Sequence, residues 1–400
     1  MTTPAARRHE QGFTVLEMLV ATAIMMAVTG AVFGLMNPAH GFFAAQPEVS
    51  DMQQRVRVGV ESLQRDLIMA GAGTYSGTKV GSLGNFFAPI LPDREGNTTP
   101  DPPGTFKCET TFCDALDASD TITLMYVPPT AAQTTIRDEM PPQAVPIKVN
   151  AQAGCPDSQH DALCGFREGM QLLIFDDTGT YDTFKVSSVA DEALQIRHKG
   201  TTLSKTYPAN TTYVTQVKTV TFYLKTNTVS ETYQLMLYDG DQSDQSIADN
   251  VVGLAFEYFG EPAAPMLIKP LTDTKGPWTN YGPKPKSDSG NCIFDLVSGA
   301  HVAKATMPSL GTGPLVKLTK TMLTDGPWCP DSTTESRYDA DLLRVRKVKV
   351  TMRVQVAQKS MRGVDTALFL RPGTSRGGER YIPDQEIAFE VSPRNLNFGR

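Results

Sequence analysis

Histidine is scarce in this chain. The 400 residues hold five, His9, His40, His160, His198 and His301. None has a companion acid at a spacing that suggests a catalytic pair, which argues against hydrolytic chemistry of the triad type. No Cys-x-x-Cys occurs among the six cysteines, and no histidine stands at ligand spacing from a cysteine pair, so a zinc site is disfavoured. Charge is thin as well. With 37 basic and 43 acidic residues the net charge is −6, and charged residues make up 20%. Such a balance carries no global signal for nucleic acid or an anionic surface, and no nucleic-acid partner is expected. The sharpest deficit is local. Across the 24 residues Phe13–Met36 only Glu17 is ionisable.

A helix over that run is about 36 Å long at ~1.5 Å per residue, enough to cross a hydrocarbon core of ~30 Å. Arg7 and Arg8 precede it, and the first carboxylates beyond it are Glu48 and Asp51. The positive-inside rule then puts the leader in the cytoplasm and the bulk of the chain outside. A secretory signal would place its small-residue site after the apolar run, whereas Gly12 lies before it. Cutting at Gly12 would leave the anchor on the mature protein. Glu17 requires its own account, because a carboxylate inside a membrane helix is costly. It either stays hydrated near the interface or finds a partner.

The sequence Gly12-Phe13-Thr14-Val15-Leu16-Glu17, behind a short leader with Arg7 and Arg8, resembles the N-terminus of type IV prepilins. The resemblance implies that a prepilin peptidase cuts after Gly12 and that the new amine of Phe13 is methylated. It also implies that Glu17 pairs with the free amine of a neighbouring subunit during assembly. Segments 51–73, 249–259 and 392–398 resemble PilW-type minor pilins in turn. The likeness is strong over 8–73, scattered over 120–260 and 342–398, and absent from 74–118 and 260–340. It implies a cleaved leader 1–12, a membrane segment 13–36, a periplasmic helical half 37–73, and a β-rich domain 74–400 with insertions at 74–118 and 260–340. The implied protein is a minor pilin, a non-enzymatic subunit that helps to start type IV pilus assembly and sits at or near the tip. Its partners would be the major pilin, other minor pilins, the inner-membrane assembly machinery and the membrane itself. Its path would run from a single-pass position in the bacterial inner membrane to the pilus at the cell surface. Two rivals share the anchor: a minor pseudopilin of type II secretion, the J type, and a pilin-like anchored adhesin.

Beyond the anchor, Pro38 is expected to kink or interrupt the helix. Val49, Met52, Val56, Val60, Leu63, Leu67 and Ala70 then recur at steps of three and four, one face of a helix that Gly71 and Gly73 stop. Residues 120–127, 170–175, 183–189, 193–198, 213–217, 218–225, 232–238, 251–259, 342–356 and 386–391 read as short strands. Glycine (32) and proline (28) are abundant between them, as in a loop-rich β domain. Arg346-Lys347 breaks the alternation of the clearest strand and predicts a β-bulge. The expected class is α+β, a pilin-like long helix packed on an antiparallel sheet with disulfide-bearing insertions.

The cysteines all follow the anchor, outside the cytoplasm by this reading, which favours disulfides. Order along the chain suggests Cys108–Cys113, Cys155–Cys164 and Cys292–Cys329, one of fifteen pairings. No cofactor is required. The acidic turn Asp239, Asp241 and Asp244 has the oxygen density of a calcium loop but lacks its glycine and glutamate, and Asp176, Asp177 and Asp182 form a similar turn. Gly373-Thr374-Ser375-Arg376-Gly377 matches G-x-S-x-G, yet Pro372 before it and Gly378 and Pro383 after it suit a hairpin loop rather than a nucleophile elbow. Arg344, Arg346, Lys347, Lys349 and Arg353 form a basic strand whose expected partners are solvent or neighbouring carboxylates.

Overall fold

The computed structural model describes residues 12–74, 81–92, 120–129, 132–143, 146–152, 155, 161–176, 179–200, 202–227, 232–240, 243–263, 294–298, 300–303, 309–324, 326, 328–329, 338–373 and 381–397. Most of the first insertion and most of the second lie outside them.

One helix, Val15–Met69 (α1), accounts for 55 residues. Helical backbone runs through Pro38 without a break. Of the kink or interruption expected there, the interruption does not occur: the proline removes one N–H, and the neighbouring turns carry the helix across. Gly71 ends it, with φ at +78°, a left-handed conformation that a side chain would strain.

The chain forms two compact units. One joins the residues up to Gln54 with Val356–Asp384; the other joins Arg55–Gln355 with Gln385–Arg400. In the first, Ala45 and Met52 of α1 are buried, as are Met361, Phe369 and Ile382. Arg362 is buried too, and its guanidinium donates to the carbonyls of Val356 and Ala357 at 2.6–3.0 Å. A Cβ on Gly373 would lie 1.9 Å from the Lys359 carbonyl, so that backbone is closely packed.

The second unit holds the sheets, and every strand pair in it is antiparallel. A five-stranded sheet has the order 90–91, 122–126, 218–227, 232–238, 244–249. A four-stranded sheet has the order 316–318, 251–260, 345–354, 385–391. A six-stranded sheet follows 133–135, 213–216, 171–175, 181–190, 195–198, 147–148. The expectation of a single sheet is thus corrected to several. Alternation along a strand reports which face is buried, not which partner it pairs with.

In this unit α1 buries Val56, Gly59, Ser62, Leu63, Asp66 and Leu67, and Ala70 just past its end is buried as well. Gly59 marks a close approach: a Cβ there would meet Met352 of the four-stranded sheet at 2.9 Å and Leu235 of the five-stranded sheet at 3.4 Å. The six-stranded sheet has a separate apolar core of Leu172, Ile174, Phe184, Val186, Ile196, Tyr207 and Val214 among others. The expected bulge is present. Phe259 faces Lys347 and Gly260 faces Val345, leaving Arg346 as the extra residue. A short helical turn, Arg394–Asn397 (α2), lies against the end of α1, where Leu396 fills the space above Gly71 and Asn395 Nδ2 donates to the Met69 carbonyl at 3.4 Å.

Candidate functional site

The residues singled out by the resemblance stand at the start of α1. Phe13 is 90% exposed, and nothing lies within 4 Å of a Cβ placed on Gly12. Thr14 caps the helix. Its backbone N–H and its hydroxyl both donate to Glu17 Oε2 at 2.9 Å, and the Glu17 N–H donates back to Thr14 Oγ1 at 3.3 Å. This is a capping box, Thr-x-x-Glu, in which two helix-start donors are satisfied reciprocally. It gives Glu17 a partner within its own chain, beyond the hydration and the neighbouring amine expected of it. The signal lies in the four residues Thr14-Val15-Leu16-Glu17. Oε1 makes no bond among the described residues, so the carboxylate keeps an acceptor.

Val15–Gly34 follows as 20 residues of mean hydropathy 2.0, with none of it buried. By length and composition it can cross a membrane. A helix exposed throughout and apolar apart from Glu17 and two threonines that bond their own backbone is suited to lipid or to like helices, not to water.

Of the cysteines, Cys155 and Cys164 form a disulfide with a Cα–Cα distance of 5.7 Å. Cys108, Cys113 and Cys292 lie outside the described residues, and Cys329 is described only as backbone in the strand pair 328–329 with 338–339.

The acidic turns are occupied by protein donors. Asp239 Oδ1 accepts from the Ser243 N–H at 3.0 Å, and Asp244 Oδ1 accepts from the Tyr223 hydroxyl at 2.6 Å; Asp241 lies outside the described residues. Asp176 meets Lys205 at 2.5 Å, and Asp182 accepts from Ser204 and the Tyr207 hydroxyl, while Asp177 is outside the described set. Burial, and then the charge of Asp182, raise the Tyr207 phenol well above its usual value. No group of three or more potential metal ligands occurs among the described residues. In the G-x-S-x-G segment only Gly373 is described.

The basic strand resolves into two kinds of cation. Lys347 pairs with Glu390 at 2.8 Å, while Lys349 at 2.7 Å and Lys317 both reach Glu257. Those two lysines hold the Glu257 carboxyl below its ordinary range, and Glu257 raises Lys349 in return. Arg344 and Arg346 are instead buried. Arg344 pairs with Asp341 and donates to the Pro262 carbonyl at 2.7 Å, and Arg346 grips Glu261 at 3.0 and 3.2 Å. Together they clamp the two ends of the 260–340 insertion.

Asp66 is the other residue that polarity alone misplaces. It lies within the polar set of α1, yet it is fully buried. Its Oδ1 accepts from the Tyr126 hydroxyl at 2.7 Å and from Lys218 at 3.2 Å. Burial is the larger reason that the Tyr126 phenol is raised, and the Asp66 charge adds to it.

Compared with known families, residues 7–33 match the prokaryotic N-terminal methylation motif. No curated protein and no solved structure matches the chain. The motif, with the apolar helix behind it, supports a type IV pilin-like or pseudopilin subunit. That is a structural class, anchored in a membrane, processed by a prepilin peptidase and assembled with pilus machinery.

Proposed function

We propose that this protein is a minor pilin of PilW type, a subunit that helps to start assembly of a type IV pilus and sits at or near its tip. The observation that carries the reading is the methylation motif at 7–33 joined to an unburied apolar helix. Cleavage after Gly12 frees the amine of Phe13. Glu17, held by Thr14 through Oε2, offers Oε1 to the corresponding amine of a neighbour. The helix then passes from lipid into the fibre core, exchanging one apolar surrounding for another. The globular unit keeps its own core, a helix packed on sheet. Calcium has no role in this reading.

Mass spectrometry of two fractions, sheared surface fibres and washed membranes, tests it. A peptide beginning at methylated Phe13 in the fibre fraction is the expected result. The same peptide confined to membranes would favour the type II secretion pseudopilin over the pilus subunit. An intact leader in both fractions would overturn the assignment of Gly12 as the cut site.

A further inference from the structure

Beyond the membrane span, five large apolar side chains are exposed among the described residues. Three of them, Val364, Leu368 and Tyr381, lie in one short segment, Val356–Asp384. That segment forms one compact unit with the part of α1 that holds the span. We propose that its apolar tip docks on the phospholipid surface of the membrane that holds α1, with the three side chains entering the headgroup layer. The inference rests on the membrane anchor of the reading above and goes beyond it.

The direction of the chain favours this. In the second unit, Asn397 Nδ2 donates to the Arg346 carbonyl at 3.1 Å, next to Leu396 over Gly71 at the close of α1, whereas Met352 faces Gly59. Strand 345–354 therefore runs along α1 toward its earlier turns, about 20 Å of strand beside about 18 Å of helix. Val356–Asp384 connects this strand to its hairpin partner 385–391, where Val354 stands opposite Gln385. In the first unit Ala45 is buried, about 16 Å of helix beyond Gly34. The headgroup layer takes up about 5–8 Å of that length. The remaining gap of about 10 Å is within reach of a protruding turn of a few residues.

The tip is a built turn. The Asp365 carbonyl accepts from the Leu368 and Phe369 N–H groups at 3.1 and 2.8 Å, and Asp365 Oδ1 accepts from the Ala367 N–H at 2.9 Å. Residues 364–368 are all exposed, Val364 at 83%. Two further bonds tie the arms of the segment together: the Met361 carbonyl accepts from the Ile382 N–H and the Leu368 carbonyl from the Asp384 N–H, both at 2.9 Å. Tyr381, its ring 6.0 Å from that of the buried Phe369, therefore stands on the same small substructure as Val364 and Leu368. The turn bonds its own backbone and leaves apolar side chains to the surroundings, the reverse of what water selects. Tyrosine and aliphatic side chains on such a frame suit a membrane interface, apolar on one side and wet on the other. A neighbouring protein chain could also cover the patch. The anchor decides for lipid, because it holds the segment beside a bilayer at an effective concentration that no separate partner needs to match.

The test places a benzophenone side chain at Val364, Ile24 or Val58 of the full chain, reconstituted in vesicles of radiolabelled phosphatidylethanolamine and phosphatidylglycerol. After irradiation, label should join the chain from Val364 and from Ile24, inside the span, but not from Val58, an exposed apolar residue of the second unit. Val364→Asp should lower the lipid labelling from a probe at Leu368 about tenfold, the contribution of one valine leaving the interface, with the thermal transition unchanged. The adducts at Val364 and Ile24 decide alone should that variant fold poorly. Label from Ile24 without label from Val364 would overturn the docking and leave the anchor standing, whereas label from neither would overturn the anchor as well. Equal labelling from Val58 and Val364, or cross-linking of Val364 to a second protein chain in place of lipid, would also overturn the proposal.

Discussion

Helix α1 is one continuous element in two different surroundings. From Val15 to Gly34 apolar side chains stand on every side and none of the stretch is buried. From Arg55 to Met69 it carries a single apolar face with Leu63 and Leu67 at 0% exposure, and polar side chains occupy most of the remainder. The backbone is the same in both. The distribution of hydrophobicity around the axis decides what each part must be immersed in. The first part needs a solvent that is apolar all round; the second needs a protein surface on one side and water on the other.

Substitutions can break this comparison. Leu67→Ala should remove about 2–5 kcal/mol from the folded globular unit, because a fully buried leucine leaves a cavity. Leu19→Ala, the same chemistry in the exposed stretch, should leave that unit's stability within about 0.5 kcal/mol of wild type. Denaturant titration of both variants checks this, and equal losses would mean that the first part is packed as well. Ile24→Lys reverses the roles. It should leave the globular unit folded yet disfavour membrane insertion by about 3 kcal/mol, read as loss from the carbonate-washed membrane fraction.

Tyr126→Phe sharpens the polar side of the comparison. It removes the phenol donor from the buried Asp66 carboxylate and should lower stability by about 1–3 kcal/mol by denaturant titration. Thr14→Val should cost about 1 kcal/mol at the helix start, seen as faster hydrogen exchange of the Glu17 and Met18 amides in micelles. Weakest is Glu257→Gln, under about 1 kcal/mol, since this carboxylate sits with two half-exposed lysines. Its pH signature has a definite sign. The folded-state pKa of Glu257 is lowered, so its contribution is present above the ordinary carboxylate value and fades as pH falls through the lowered one. Wild type and variant should therefore converge in acid, and also in high salt.

Much of the chain is legible where periodicity carries the information. Strands such as 232–238 and 251–260 announce themselves by alternation, and the bulge at Arg346 by its failure. Asp244–Asp249 escapes such reading because only Ala248 among its six residues is buried, so backbone pairing with Thr232–Tyr238 makes it a strand. Asp66 is misplaced by a helical wheel, which ranks residues by polarity, while Tyr126 lies 60 positions away and Lys218 152. Arg344 falls among the exposed lysines by alternation although it is wholly buried, because its partner carbonyl at Pro262 lies across an 82-residue separation. At the N-terminus the cap is written in four consecutive residues, but a carboxylate in an apolar run directs attention to intersubunit pairing rather than to local hydrogen bonding. The nearest-neighbour pairing of Cys155 with Cys164 holds because a nine-residue separation closes easily.

The contact between Asn395 and the Met69 carbonyl joins positions 326 apart. A chain made from its N-terminus onward exposes the end of that helix first and the residues that seal it last. For that interval the helix terminus is an open site, held by no later part of the chain. A pause or truncation during synthesis would present it to proteases and chaperones, and the sealed state would itself report that Asn395 and Leu396 have arrived.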